Sequence, residues 1–355
     1  MTSFKLYGMT ASLYTGKVRA YLRRNQVPFT EIKAGSAHFR DVVRKAVNRW
    51  IVPVIETPKG EYIQDGSVIL DYFEQHGHSK FSIYPEDPRL KTVAHVFELF
   101  GSEGLLRPAM HYRWNFDDTN LAFLKTSFED VLPDGLSDEA YEEAFLHSSG
   151  LMRKATLFFG ATPEVQPTIE ASYAEFLSLL NAHFKARPFL LGGHPTVGDY
   201  GLFGPLYAHL GRDPKPLHLM QTTAPRVHRW TERMNMAEPY LDEATQISGP
   251  DLFAFEALPE TLKALMRFVA DEYLPEITAH TAFTNQWLAD HPNPAESTTP
   301  KNRFIDATTF EWRGHEITTA VAPYRNFLLQ RSPMRLRPWK AARKPRFKPC
   351  SMKPA

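Results

Sequence analysis

The run Ile51-Val52-Pro53-Val54-Ile55-Glu56-Thr57 constrains the fold more than any other stretch of the chain. Its apolar, β-branched residues read as a buried strand. Proline removes a ladder donor, so this strand lies at a sheet edge or the proline has a special role. Lys59-Gly60 makes a turn, and Glu61-Tyr62-Ile63-Gln64 returns as the second strand of a hairpin. Upstream, Phe4–Tyr7 and Val27–Ile32 read as strands around a helix over Val18–Arg24, whose Val18, Tyr21 and Leu22 share one stripe. A polar, basic helix candidate spans His38–Val47. Gly66–Gln75 reads as a helix with Ile69, Leu70, Tyr72 and Phe73 on its apolar face. The order βαβ, then α, then ββα, describes a small α/β domain with a mixed sheet.

Tyr84–Leu90, "YPEDPRL", reads as a linker. Beyond it the chain becomes helical, with periodic segments at Thr92–Leu106, Tyr141–Phe159, Ile169–Ala186 and Val227–Met236. Thr196-Val197-Gly198-Asp199 is a capping box that marks one helix start. A third region begins near Gly249. It contains a helical part (Leu258–Leu288), a loop rich in Pro, Ser and Thr (His291–Lys301), and β-prone pieces at Phe310-Glu311-Trp312 and Glu316-Ile317-Thr318. The expected organisation is therefore residues 1–84, 91–248 and 249–355.

The only cysteine is Cys350. It excludes an internal disulfide, a Cys-x-x-Cys redox centre and cysteine-based zinc sites, and the expected setting is a reducing cytoplasm. No stretch approaches 18 continuous apolar residues, so no membrane span is expected. "MTSFKLYGMT" lacks a basic region followed by a long apolar run, so no secretory signal is expected either. Charge is uneven. Arg331–Ala355 carries nine Lys or Arg and no acid, whereas residues 1–330 carry 32 basic and 40 acidic residues. Such a tail can contact nucleic acid or anionic lipid. With no aromatic-interleaved platform beside it, it reads as a solvated, proline-broken arm, and no nucleic-acid partner is expected. His76-Gly77-His78 reads as a solvated turn, and no metal site is expected. Gly16-Lys17 is not a phosphate loop. That motif needs glycine at 11 and Ser or Thr at 18, where the chain has Ala11 and Val18.

Three landmarks in order, a strand–serine–helix junction, an apolar Val-Pro strand and an acid opening the next helix, precede the helical segment with its Thr-x-x-Asp box. Together they resemble the glutathione S-transferase superfamily over roughly residues 4–245. The resemblance implies an α/β thioredoxin-like N-terminal domain that binds glutathione, followed by an all-α C-terminal domain for the second substrate. "LYGMTASLYTGKVRAYL" is similar to the serine-type zeta, tau and theta pattern. The resemblance makes Ser12 the catalytic residue, a hydroxyl that donates to the glutathione sulfur. A cysteine-type thiol has a pKa of about 8.5, and a hydroxyl donor together with the positive end of a helix favours its thiolate. From the residues alone, Ser12 fits a helix cap equally well. Tyr7 is the second candidate and Tyr14 the third.

The resemblance further implies that Val52 offers its backbone to glutathione next to a cis Pro53. It implies that Asp65 meets the γ-glutamyl ammonium. "DGSVILDYFE" puts Gly66 where the family usually has a hydroxyl for the γ-glutamyl carboxylate, leaving Ser67 as a substitute. Met110, His111, Tyr112, Arg113 and Trp114 fall where the family's first long helix faces the cleft. With Tyr14, they would form a wall for a second substrate. The implied activity is a glutathione-dependent transferase acting on a small hydrophobic or aromatic electrophile, with glutathione as co-substrate, in a cytoplasmic homodimer that serves detoxification. Lyase, isomerase and dehalogenase chemistry fit the same pattern. The alternative is a non-catalytic member that binds or scaffolds.

Overall fold

A computed structural model describes residues 3–185, 187–237, 251–293 and 303–333. Four strands form the first sheet: β1 (Phe4–Gly8), β2 (Phe29–Lys33), β3 (Val54–Glu56) and β4 (Tyr62–Gln64). Their order is β2-β1-β3-β4, with β1 parallel to β2 and the other pairs antiparallel. The Pro53 strand is therefore internal, and the proline sits just before its first ladder residue. The Val52–Pro53 peptide is cis.

Successive side chains of β1 point to opposite faces. Leu6 joins Val18, Tyr21 and Leu22 of α1 (Leu13–Arg24) and Ile69, Leu70 and Phe73 of α3 (Gly66–Gln75) in the main core. Tyr7 and Val54 face the other way, against Ala34, Phe39 and Val43. Phe39 and Val43 belong to a wide turn, Phe39–Val43, that runs into the short α2 (Arg44–Ala46). Helix α1 opens at Leu13, earlier than the stripe from Val18 suggests, because Ser12 caps it by accepting from the Thr15 N–H.

The expected single segment Thr92–Leu106 is three pieces: α4 (Pro88–Leu99), a wide turn (Phe100–Gly104) and α5 (Leu106–Trp114). Then follow α6 (Asp117–Phe128), α7 (Asp138–Phe158), α8 (Gln166–His183), α9 (Val197–Ala208), α10 (Pro214–Thr223) and α11 (Pro225–Met234). The capping box opens α9 as its sequence demands. Helix α9 is buried and crosses both α4 and α1. A Cβ on Gly201 would lie 2.4 Å from Glu98 Cα, so this crossing requires glycine. The fold is a thioredoxin-like domain joined to an all-helical one.

The third region continues the same body. Helix α12 (Glu260–Asp290) lies on α8, and its Leu265, Phe268 and Tyr273 share the core of Phe100 and Phe176. The hairpin β5 (Asp306–Trp312) and β6 (His315–Val321) lies on α12. Its two-residue turn places Arg313 and Gly314 at φ 47° and 81°, as hairpin twist favours. Helix α13 (Pro323–Gln330) packs on α4. Cys350 and the basic tail beyond Arg331–Pro333 lie outside the described residues. Arg331 itself is tied to Asp71 at 2.6 and 2.9 Å and to the Tyr84 hydroxyl at 2.8 Å. Among the described residues no helix is long and apolar enough to cross a membrane.

Candidate functional site

The sheet register gathers the proposed glutathione-binding residues. Tyr7 pairs with Val54, and Val54 with Gln64. Hence the loop after Gly8, the Val52–Pro53 turn and Asp65 share one end of the sheet. Ser12 stands there at the start of α1, with its hydroxyl half-buried and 3.2 Å from the Thr15 N–H. The starts of α1 and α3 abut, since a Cβ on Gly66 would lie 3.6 Å from the Tyr14 carbonyl oxygen. Two positive helix ends therefore converge on one spot, which suits an anion. Asp65 accepts from the Ser67 and Val68 N–H groups at 2.9 and 3.0 Å. It does so at φ 79°, a conformation uncommon for a non-glycine residue and most often found at functional sites.

The helical domain grips the Ser12 loop from two sides. Asp130 accepts from the Thr10 N–H at 2.6 Å. Arg113 donates to the Ala11 carbonyl at 3.2 Å, while its fork holds Asp213 at 2.7 and 2.8 Å. Arg113 is thus a buried brace and does not face a substrate. Lys17 is likewise taken up: it lies 2.6 Å from Glu98 and 2.9 Å from Ser67 Oγ, all buried. Burial pushes the Glu98 carboxyl up, but Lys17, His95 and Arg331 more than offset this and hold it well below the carboxylate range.

Several proposed residues are placed elsewhere. The Tyr7 hydroxyl donates to Glu56 at 2.6 Å on the sheet face away from α1; burial and this carboxylate push it far up, so Tyr7 is not a sulfur donor. Ser67 cannot replace the missing hydroxyl at Gly66. Its Oγ donates to Glu98 at 2.8 Å in the interior. His111 turns toward α8 and Glu170, at 3.1 Å, and burial lowers its pKa. Met110 and Trp114 are buried in a cluster with Leu13, Phe128, Phe145 and Phe159, which Tyr14 and Phe304 border. His76 bonds back to the Tyr72 carbonyl, and His78 packs edge-on against Phe4 and Phe73.

The third region reaches the start of α1 through contacts that sequence reasoning missed. The Tyr14 hydroxyl donates to Glu103 at 2.9 Å and accepts from Arg303 at the same distance. Arg325 of α13 reaches Glu103 at 3.3 Å and pairs with Glu276 of α12, which also holds Arg107 at 2.5 Å. Burial and the nearby Asp65 carboxylate push the Tyr324 hydroxyl well up. The one local signal was Glu103 itself, an acid inside the apolar stretch Phe100–Leu106.

Two family models match in order: glutathione S-transferase, N-terminal domain, over residues 6–80, and glutathione S-transferase, C-terminal domain, over residues 138–233. The chain belongs to the glutathione S-transferase superfamily. Among solved structures it is similar to a β-etherase from Sphingobium sp. strain SYK-6, at 18% identity and TM-score 0.46, covering 69% of this chain and 98% of that one. It is also similar to a glutathione S-transferase from Methylobacterium radiotolerans in complex with glutathione sulfonate (17%, 0.39, 73% and 100%). A third is a glutathione transferase homologue from Drosophila mojavensis with bound glutathione (16%, 0.40, 77% and 98%). At these values the assignment rests on the family models. No curated protein matches the chain.

Proposed function

We propose that the chain is a glutathione-dependent transferase whose Ser12 hydroxyl stabilises the glutathione thiolate. The observation that carries this reading is the convergence of Ser12, the Val52–Pro53 turn and Asp65 at one end of the sheet, where α1 and α3 begin side by side. Glutathione brings a thiol, an ammonium and two carboxylates. The ammonium suits Asp65, and the anionic groups suit the helix N-termini. The Val52 backbone serves the cysteinyl part. With the sulfur held as an anion, it attacks an electrophilic carbon. A C–S bond forms, and the leaving group departs with its electron pair. Ser12 donates a hydrogen bond throughout and forms no covalent bond.

A detoxifying role, a cytoplasmic location and a homodimer follow from the family and complete the proposal. Sedimentation tests the last: a monomer at micromolar concentration would remove it. The non-catalytic reading draws on Gly66, which has no hydroxyl for the carboxylate. Isothermal titration separates the two readings. The transferase reading expects glutathione binding; no heat at millimolar ligand would sink it.

A further inference from the structure

The third region delivers a cation to the cleft that the buried ion pairs do not need. Glu276 and Glu103 are each matched by a buried arginine, Arg107 and Arg325 respectively. Arg303 is additional. It lies 3.8 Å from Glu103 and donates to the Tyr14 hydroxyl. Its side chain remains 45% exposed. The guanidinium carbon is 5.9, 5.7 and 5.5 Å from the rings of Tyr14, Phe159 and Phe304. The other acid at this rim, Asp65, is taken up in capping α3. An arginine among aromatic rings is weakly hydrated and presents a planar fork that matches a carboxylate. Tyr14 and Phe304 are half-buried beside it, and the buried Phe159 backs them. Tyr14 lies in the first turn of α1, so this group sits next to Ser12.

We infer that Arg303 makes the cleft selective for aromatic second substrates carrying a carboxylate, which its guanidinium binds while the half-buried Tyr14 and Phe304 flank the ring. This deepens the transferase reading and rests on it. In the reaction, the carboxylate is held, not changed. The C–S bond forms at the ring carbon and the leaving group takes its electron pair.

The test measures binding, so it does not depend on turnover. The full chain, saturated with glutathione, is titrated with unreactive 3-nitrobenzoate and with its neutral amide. A charge-assisted contact predicts that the wild type binds the benzoate at least tenfold more tightly than the amide. Arg303→Gln removes that preference, and Arg303→Lys keeps part of it. Glutathione affinity is unchanged in both variants, and circular dichroism confirms that both fold. Equal affinities for benzoate and amide in the wild type overturn the inference, as does no binding of either. A preference that survives in Arg303→Gln, or a variant that weakens glutathione instead of the benzoate, also overturns it. Loss of glutathione binding by the wild type sinks the transferase reading separately, and the benzoate preference can still be read on the free chain.

Discussion

Replacing Glu276 by alanine tests whether the third region is held as part of one folded body. Glu276 is wholly buried on α12, between Arg107 of α5 and Arg325 of α13. Burial pushes its carboxyl up from 4.5, but the two guanidiniums outweigh this and hold it at about 2. That depression corresponds to roughly 3 kcal/mol. Independently, removing one partner of a buried ion pair costs about 3–5 kcal/mol, because the other charge stays buried and unpaired. At an unfolding entropy of about 2.1 cal/mol/K per residue, a loss near 4 kcal/mol lowers Tm by roughly 5 °C. Lys263→Ala is the control. Lys263 pairs with Glu260 at 2.7 Å on the exposed side of α12, and such a pair is worth less than about 1 kcal/mol. Differential scanning calorimetry at pH 7 reads both. A Glu276→Ala melting point within about 1 °C of wild type would refute the reasoning. The pH dependence has a definite sign. The folded pKa lies below the unfolded one, so this stability is full above pH 4.5 and fades as pH falls toward 2. Wild type and Glu276→Gln therefore converge in acid.

Gly66→Ser restores the hydroxyl that the family usually has. Its Cβ would meet only ordinary contacts at 3.6 Å or more, and one added hydrogen bond should tighten glutathione about fivefold by titration. Unchanged or weaker binding would remove Gly66 from the ligand site. His183 is buried between Thr261 Oγ1 and the Leu190 carbonyl, and burial lowers its pKa to about 4. It must stay neutral in the fold, so stability is lost as pH falls from 6.5 to about 4. His183→Gln should flatten the Tm profile across that window, and an unchanged slope would contradict this.

The sheet, the Thr196 capping box and the Ser12 and Asp65 junctions were legible because each is fixed by neighbours a few residues away. Pro53 left its place open between an edge strand and a special turn, and the register puts its strand inside the sheet. What was not legible depends on distance along the chain. Arg325 and Glu103 are 222 residues apart, and Arg303 and Tyr14 are 289 apart. Neither arginine differs locally from a solvated surface cation. Met110 and Trp114 are buried among core side chains, and helical periodicity marks such a face without saying whether it lines a cleft or a core. His111 and Arg113, on the same helix, turn to partners on other elements, Glu170 and Asp213, which the apolar pattern does not reveal.

The central claim is that Ser12 holds the sulfur of bound glutathione as an anion. The direct measurement is a pH titration of the bound thiol, followed by the ultraviolet absorbance of the thiolate, in wild type and in Ser12→Ala. The account predicts ionisation at least one pH unit below the free thiol value of about 8.5. It predicts return toward that value in Ser12→Ala, with a matching fall in kcat and a melting point lower by only about 1–3 °C, the cost of the lost α1 cap. A bound thiol that titrates near 8.5 in wild type, or one whose lowered value survives in Ser12→Ala, would contradict it.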